Sequence, residues 1–167
     1  MSKKVRKRHF LRDKDAKALL DQAGEELKVN LEKFFSSQIK VERFETDFGE
    51  VFMINGKPSL FKKGEKLYPT LVFEEIFAST PKVVVDMGAV RHICNGANVM
   101  APGIVRFEGS FGKGDLVFIV DEKHGKPIAV GEILYGDAEA VSIKQGVVVD
   151  NVHFVGDRIW RSIKELA

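Results

Sequence analysis

The strongest structural signal in the chain lies in residues 83–107, VVVDMGAVRHICNGANVMAPGIVRF. The β-branched run at its start predicts a strand over residues 82–86. Asp86 then offers the side chain of a helix N-cap and Gly96 a helix stop, which together predict a helix of about two turns. A loop follows over residues 98–103, and the last residues of the segment predict a second strand.

The short helix has an apolar side and a polar side. Its period places Ile93 and Cys94 on the buried side, and Arg91 and His92 on the side that faces water. A free cysteine packs as a small hydrophobe, so we interpret Cys94 as a core residue rather than a nucleophile. The loop after the helix lacks the lysine and the Ser or Thr of a triphosphate-binding loop. It is better suited to contacts with sugars and bases.

Two kinds of pattern divide the chain. Residues 13–27 have apolar residues at helical spacing, and from Ile39 the alternation of apolar and polar residues predicts a small antiparallel meander with a tight turn at Asn55 and Gly56. Beyond Pro81, short apolar runs between glycine-bearing turns predict a small barrel. The sequence therefore predicts an α+β fold, with a small α+β domain over residues 1–78 and a β-barrel domain with one short helix over residues 79–167.

Two further side chains have predicted environments. His153 lies in a strand between Val152 and Phe154, and we expect it to face outward into solvent. Trp160 lies near the end of the chain, where we expect it to fill the core of the barrel, because large aromatic rings are mostly buried.

The composition excludes several classes of site. One cysteine among 167 residues rules out a disulfide framework, and the four histidines do not have metal-ligand spacing. No group of residues has the pattern of a nucleophile, a base and an orienting residue, so we expect neither catalysis nor a bound cofactor or metal. No apolar run reaches the length of a membrane span and no secretion signal is visible, so we expect a cytoplasmic protein.

Charge is distributed unevenly along the chain. The net charge is +2, but residues 1–17 contain eight Lys and Arg against two Asp. A basic arm predicts a segment that binds an anionic polymer, because each cation that contacts a phosphate releases condensed counterions. A solubilising tail is the alternative. Residues 79–167 carry ten Lys and Arg against eleven Asp and Glu, so the second domain by itself has little attraction for a polyanion.

Residues 83–107 resemble the signature of the PUA domain, an RNA-binding module named for pseudouridine synthases and archaeosine transglycosylases. The shared pattern is a strand, Asp-x-Gly-Ala, a short helix, Gly-Ala-x-Val-Met-x-Pro-Gly-Ile and a second strand. GDLVFIVDEKHGKPIAVGEI, residues 114–133, and GVVVDNVHFVGDRIW, residues 146–160, are similar to the middle hairpin and the closing strands of that domain. The resemblance covers about half of the chain and implies a PUA-type pseudobarrel.

The first half extends the resemblance. KLYPTLVFEEIFASTPKVVVDMGAVRHICNGANVMAPGI, residues 66–104, is similar to the family named for malignant T-cell amplified sequence and to the N-terminal region of the ligatin-type initiation factor. Those proteins join a small α+β domain to a PUA domain and act on the small ribosomal subunit with tRNA. KRHFLRDKDAKALL, residues 7–20, is similar to archaeal single-chain relatives, so the chain is identified as an archaeal-type member.

The resemblance also implies where RNA would be bound, namely on the short helix, the glycine loop and the last strands. On this chain the implied contacts are Arg91, His92, Asn98, Met100, Ala101, Pro102 and Gly103, with Arg106, Arg158 and Arg161 as further candidates. The basic arm adds Lys3, Lys4, Arg6, Lys7 and Arg8 as cations for phosphate groups. Exposed backbone groups and planar side chains commonly read unpaired RNA, which agrees with this set.

Three functions remain open at this point. The first is a non-catalytic RNA-binding protein that engages tRNA or the small ribosomal subunit in translation, at initiation or recycling. The second is an accessory or detached RNA-binding portion of a tRNA-modifying enzyme of the pseudouridine synthase or archaeosine transglycosylase type, working with a protein partner. The third is a protein-interaction module whose barrel does not bind RNA, which the acidic balance of residues 79–167 favours.

Overall fold

The computed structural model of the protein describes residues 7–35 and 38–166. They form two compact units. The first unit comprises the described part of Met1–Ala78 together with the last helix of the chain, and the second unit comprises Ser79–Asp157. Two sheets with accompanying helices confirm the predicted α+β class.

The first unit contains a five-stranded antiparallel meander whose strand order follows the chain. Its elements before the last helix are β1 Lys7–Phe10, α1 Asp13–Leu27, a 3-10 helix Leu31–Phe34, β2 Val41–Thr46, β3 Gly49–Ile54, β4 Lys57–Lys63, β5 Lys66–Pro69 and a 3-10 helix Glu74–Ser79.

Local sequence signals account for most of the first unit. Helix α1 buries the apolar residues that recur at helical spacing, Ala16, Leu20, Ala23 and Leu27. Between β3 and β4, Asn55 and Gly56 have φ of 50° and 84°, which is the left-handed pair that a two-residue hairpin requires. The predicted helix, meander and turn are confirmed.

The predicted basic arm is partly built into the sheet. Strand β1 pairs antiparallel with β2, and Arg8 Nε donates to Glu42 Oε2 at 2.7 Å. The Arg8 guanidinium also lies 5.1 Å from the centre of the Phe44 ring. Because Glu42 is almost completely buried, its carboxylate needs this counter-charge. The charge of Arg8 is therefore partly compensated by Glu42, and its role as a phosphate contact stays a prediction.

The second unit is a curled half-barrel with a six-stranded sheet in the order β7-β11-β10-β9-β6-β8. Strand β6 pairs parallel with β9 and antiparallel with β8. The elements are β6 Lys82–Val85, α2 Met87–Ile93, β7 Val99–Met100, a 3-10 helix Ala101–Gly103, β8 Ile104–Glu108, β9 Leu116–Asp121, β10 Pro127–Ile133, α3 Asp137–Ala140 and β11 Val147–Phe154.

The core of the second unit is formed mainly by β-branched side chains, among them Val83, Val85, Ile93, Val99, Val117, Ile119, Ile133, Val148 and Val149. His153 is also interior, with 0% of its side chain exposed, and its Nδ1 lies 2.9 Å from Asp157 Oδ2. The prediction of an outward, solvated His153 is wrong. Burial is possible because the carboxylate four residues further on supplies a hydrogen-bond partner for the ring.

The last element, α4 Arg158–Leu166, groups with the first unit. The sequence analysis expected closing strands through Trp160 and assigned residues 158–167 to the second domain, and the helix differs from both expectations. Ile159 and Ile163, four residues apart, are its buried side chains, which is helical spacing. Trp160 is half-buried with Lys164 Nζ 4.6 Å from its ring centre, so it does not fill a barrel core.

Candidate functional site

Helix α2 begins and ends where the sequence predicts. Asp86 is the N-cap, and its Oδ1 accepts from the backbone N–H of Ala89 at 2.8 Å. At the other end Gly96 has φ of 98° and its N–H donates to the Ile93 carbonyl at 3.0 Å. The N–H of Asp86 also donates to the carbonyl of Gly103 at 2.9 Å, so the start of the helix is tied to the end of the glycine loop.

The two sides of α2 also agree with the prediction. Ile93 is buried and Cys94 is half-buried, whereas Arg91 and His92 are exposed. Burial raises the pKa of the Cys94 thiol, which disfavours the nucleophilic thiolate. Cys94 therefore packs against the core, as its sequence context indicates.

Asn151 on β11 fixes the path of the chain after α2. Its Nδ2 donates to the carbonyls of Ile93 at 3.0 Å and Ala97 at 2.9 Å, which lie at the C-terminal end of α2 and just beyond it. Its backbone N–H donates to Asn98 Oδ1 at 2.9 Å. Asn151 is not among the residues predicted from the sequence, because no local signal connects it to a loop more than fifty residues earlier. Asn98, an implied RNA contact, is held in place by this bond.

A cavity of about 450 Å³, which we call the loop cavity, opens beside α2 and the glycine loop. Its lining consists of Asp86, Gly88, Ala89, His92, Ile93, Ala97, Asn98, Met100, Pro102 and Gly103. A Cβ on Gly103 would lie 3.0 Å from the Cβ of Ala89, so a larger residue would crowd the wall here. The structure thus brings together His92, Asn98, Met100, Pro102 and Gly103 from the predicted set.

A second cavity of about 550 Å³, which we call the β8 groove, lies on the other side of Pro102. It is lined by Ala101, Pro102, Ile104, Val105, Arg106, Phe107, Ala140, Val141, Ile143 and Lys144. Ala101 and Arg106 of the predicted set are here. Arg106 Nε donates to Glu108 Oε2 at 3.1 Å, so its charge is partly compensated.

The remaining predicted residues that the structure describes do not line either cavity. Arg91 is exposed on α2 but lines neither cavity. Arg158 and Arg161 are exposed on α4, in the first unit, and not on closing strands of the barrel. Lys7 and Arg8 belong to β1, whereas Lys3, Lys4 and Arg6 lie outside the described residues.

The described residues contain neither a membrane-spanning helix nor a metal-binding cluster. No helix there is both long and apolar enough to cross a membrane. Over residues 7–35 and 38–166, no group of three or more His, Cys, Asp or Glu is placed to hold a metal ion.

The N-cap of α2 gives a direct prediction. We expect Asp86→Ala to cost about 1 kcal/mol of local stability, because the N–H of Ala89 loses its acceptor. Native-state hydrogen exchange of the α2 amides measures this cost. Asp86→Asn is the matched control, since an asparagine oxygen caps equally well, and equal exchange in the two variants would contradict a capping role.

Comparison with known proteins agrees with the two-unit layout. A PUA domain model matches residues 81–155, and a domain of unknown function, DUF1947, matches residues 7–73. An uncharacterized protein of Methanocaldococcus jannaschii is 40% identical over 93% of this chain and 96% of its own length. Translation machinery-associated protein 20 of Saccharomyces cerevisiae is 30% identical over 74% of this chain and 72% of its own length. The chain belongs to the translation machinery-associated protein 20 family.

A solved structure has the same fold over nearly the whole chain. The crystal structure of a hypothetical protein from Pyrococcus horikoshii is 31% identical, with a TM-score of 0.78 over 94% of this chain and 99% of that one. A probable tRNA pseudouridine synthase B of Pyrobaculum aerophilum is 45% identical, but over only 47% of this chain and 23% of its own length. The predicted resemblance to PUA-domain translation proteins is confirmed. In this member of the translation machinery-associated protein 20 family, both cavities lie inside the PUA match and α4 lies outside it.

Proposed function

We propose that the chain is a non-catalytic RNA-binding protein that engages tRNA or the small ribosomal subunit during initiation or recycling, in the cytoplasm. The observation that carries this proposal is the loop cavity, where five implied contact residues converge on one concave surface, His92, Asn98, Met100, Pro102 and Gly103. Membership of the translation machinery-associated protein 20 family supports the link to translation.

The chemistry of the loop cavity favours a nucleobase over a phosphate. Its only charged lining residue is Asp86, and Ser79–Asp157 carries seven Lys and Arg against ten Asp and Glu. Binding here rests on stacking, on apolar contact with Met100 and on hydrogen bonds from polar groups such as His92. Cations outside the cavity, Arg91 and the basic residues near the N-terminus, hold the RNA backbone.

A charge-reversal experiment tests the proposal. We expect Arg91→Glu to weaken binding to deacylated tRNA or to isolated small subunits about tenfold, because one phosphate contact becomes a repulsion. Deletion of residues 1–6, which ends before β1, removes three cations and lowers the slope of log affinity against log salt by about 2–3. Fluorescence anisotropy with labelled tRNA and sedimentation with subunits give both quantities.

Lys113→Glu is the matched control. It makes the same charge change in the second unit, on an exposed turn that lines neither cavity. Unchanged affinity for both RNAs in Arg91→Glu and in the deletion variant would overturn RNA binding and favour the protein-interaction module.

The similarity to a probable tRNA pseudouridine synthase B over residues of the PUA half favours one other candidate function. In that role the chain would deliver tRNA to a separate catalytic subunit. Affinity purification of the full chain from its native extract distinguishes the two roles. Ribosomal proteins in the eluate support the translation role, whereas a tRNA-modifying enzyme without ribosomal proteins supports delivery.

A further inference from the structure

The loop cavity and the β8 groove are adjacent surfaces rather than two unrelated depressions. Pro102 lines both of them, and the short 3-10 helix Ala101–Gly103 forms the ridge between them. A ligand that fills the loop cavity and continues past Pro102 therefore comes next to the β8 groove. Any extended ligand longer than one cavity has the groove within reach.

Exposed apolar side chains line the two cavities on either side of this ridge. Among the described residues the large exposed hydrophobics are Phe10, Met87, Met100, Val105 and Val141. Met100, 47% exposed, lines the loop cavity, and Val105 and Val141, 46% and 62% exposed, line the β8 groove. Exposed apolar side chains gathered at a concave surface mark a binding site more often than scattered ones do.

The β8 groove also carries a cation that the fold does not use. Lys144 is exposed at its wall, and no anion lies within ion-pair distance among the described residues. Arg106 on the same groove already has Glu108 as a partner. An apolar wall with an uncommitted ammonium beside it is complementary to a nucleotide, which joins a flat base to a charged phosphate.

We propose that the β8 groove is a second nucleotide subsite, which extends the loop cavity across Pro102. One unpaired base occupies the loop cavity, and the neighbouring base of the same strand packs against Val105 and Val141. The phosphate of that second nucleotide contacts Lys144. This inference rests on the proposed function, and it adds Val105, Val141 and Lys144 to the binding surface.

The arrangement defines the class of RNA that is bound. Two adjacent bases can enter separate cavities only if they are unstacked and unpaired, and an A-form duplex keeps its bases inside the helix. The substrate is therefore a single-stranded segment of at least two nucleotides, such as a free end or an open loop. A continuous duplex of the same sequence does not fit.

Substitution in each cavity, measured on the full chain, tests the subsite. The ligands are a labelled single-stranded RNA of eight nucleotides and a blunt-ended duplex that contains the same eight. We expect Val141→Asp and Lys144→Glu each to weaken single-strand binding about tenfold, the scale for losing one stacked base or its phosphate contact. Phe10→Asp and Lys113→Glu are matched controls, since both side chains are exposed and lie outside the two cavities.

His92→Glu in the loop cavity separates failure of this inference from failure of the proposed function. Weaker binding in His92→Glu and in both groove variants supports the two-nucleotide subsite. Weaker binding in His92→Glu alone overturns the second subsite and leaves the loop cavity as the RNA site. No weakening in any of the three variants overturns both proposals. Equal weakening toward the single strand and the duplex overturns the subsite as a site for unpaired bases.

Discussion

Gly131→Ala is expected to destabilise the second unit by about 2–3 kcal/mol, through overpacking between two central strands. A Cβ at this position would lie 2.5 Å from the carbonyl oxygen of Asp150 and 2.5 Å from Cγ1 of Val149. Both distances are well inside van der Waals contact, and one of the obstructing atoms is backbone. Strands β10 and β11 would have to separate at the register shift beside Val130.

Native-state hydrogen exchange of the β9, β10 and β11 amides measures this loss for the second unit specifically. Gly112→Ala is the control, because its nearest neighbour to an added Cβ is Asp115 Oδ2 at 3.8 Å, an ordinary contact. A change in Gly131→Ala no larger than that in Gly112→Ala would show that the strands yield at little cost.

His153→Ala is expected to cost about 3 kcal/mol, because it removes a completely buried ring and leaves the Asp157 carboxylate without that partner. Asp157 Oδ2 also accepts from the backbone N–H of Phe154 at 2.9 Å, and this bond does not depend on the ring. Urea unfolding of the full chain gives the free energy, and hydrogen exchange of β11 assigns the loss to the second unit.

His124→Ala is the matched control, since His124 is exposed in a turn and Asp121 accepts a bond from its backbone rather than its ring. We expect its free energy of unfolding to change by less than about 0.5 kcal/mol. A similarly small change in His153→Ala would show that the buried ring contributes only space-filling that its neighbours can replace.

Signals that act within a few residues predicted much of this protein. Asp86 caps a helix because its side chain reaches an N–H three residues on, and Gly96 ends the helix because its backbone accepts a positive φ. Asn55 and Gly56 form a tight turn for the same backbone reason. These effects need no distant partner, so the sequence alone is enough to place them.

Local sequence is not enough for residues whose structure depends on a distant partner or on burial in the folded protein. A short run such as RIW suits a strand or a helix, and only the burial of Ile159 and Ile163 on one face selects the helix. The sequence near Arg8 likewise does not show that this arginine pairs with Glu42, 34 residues away. The alternating pattern of its strand predicts that His153 faces outward, and only the tertiary structure shows that its ring is buried.

The sequence by itself determined strand β6, helix α2, strand β8 and the residue types that face outward from α2, because helix caps and periodicity are short-range properties of the backbone. Strand β7 and the 3-10 helix Ala101–Gly103 stand where the sequence predicted a loop. The tertiary structure alone decided that Asn151 holds the loop and that Val141 and Lys144 from another segment stand beside Pro102. Such a surface exists only after the sheet has brought distant strands and turns together, since no local interaction links those segments.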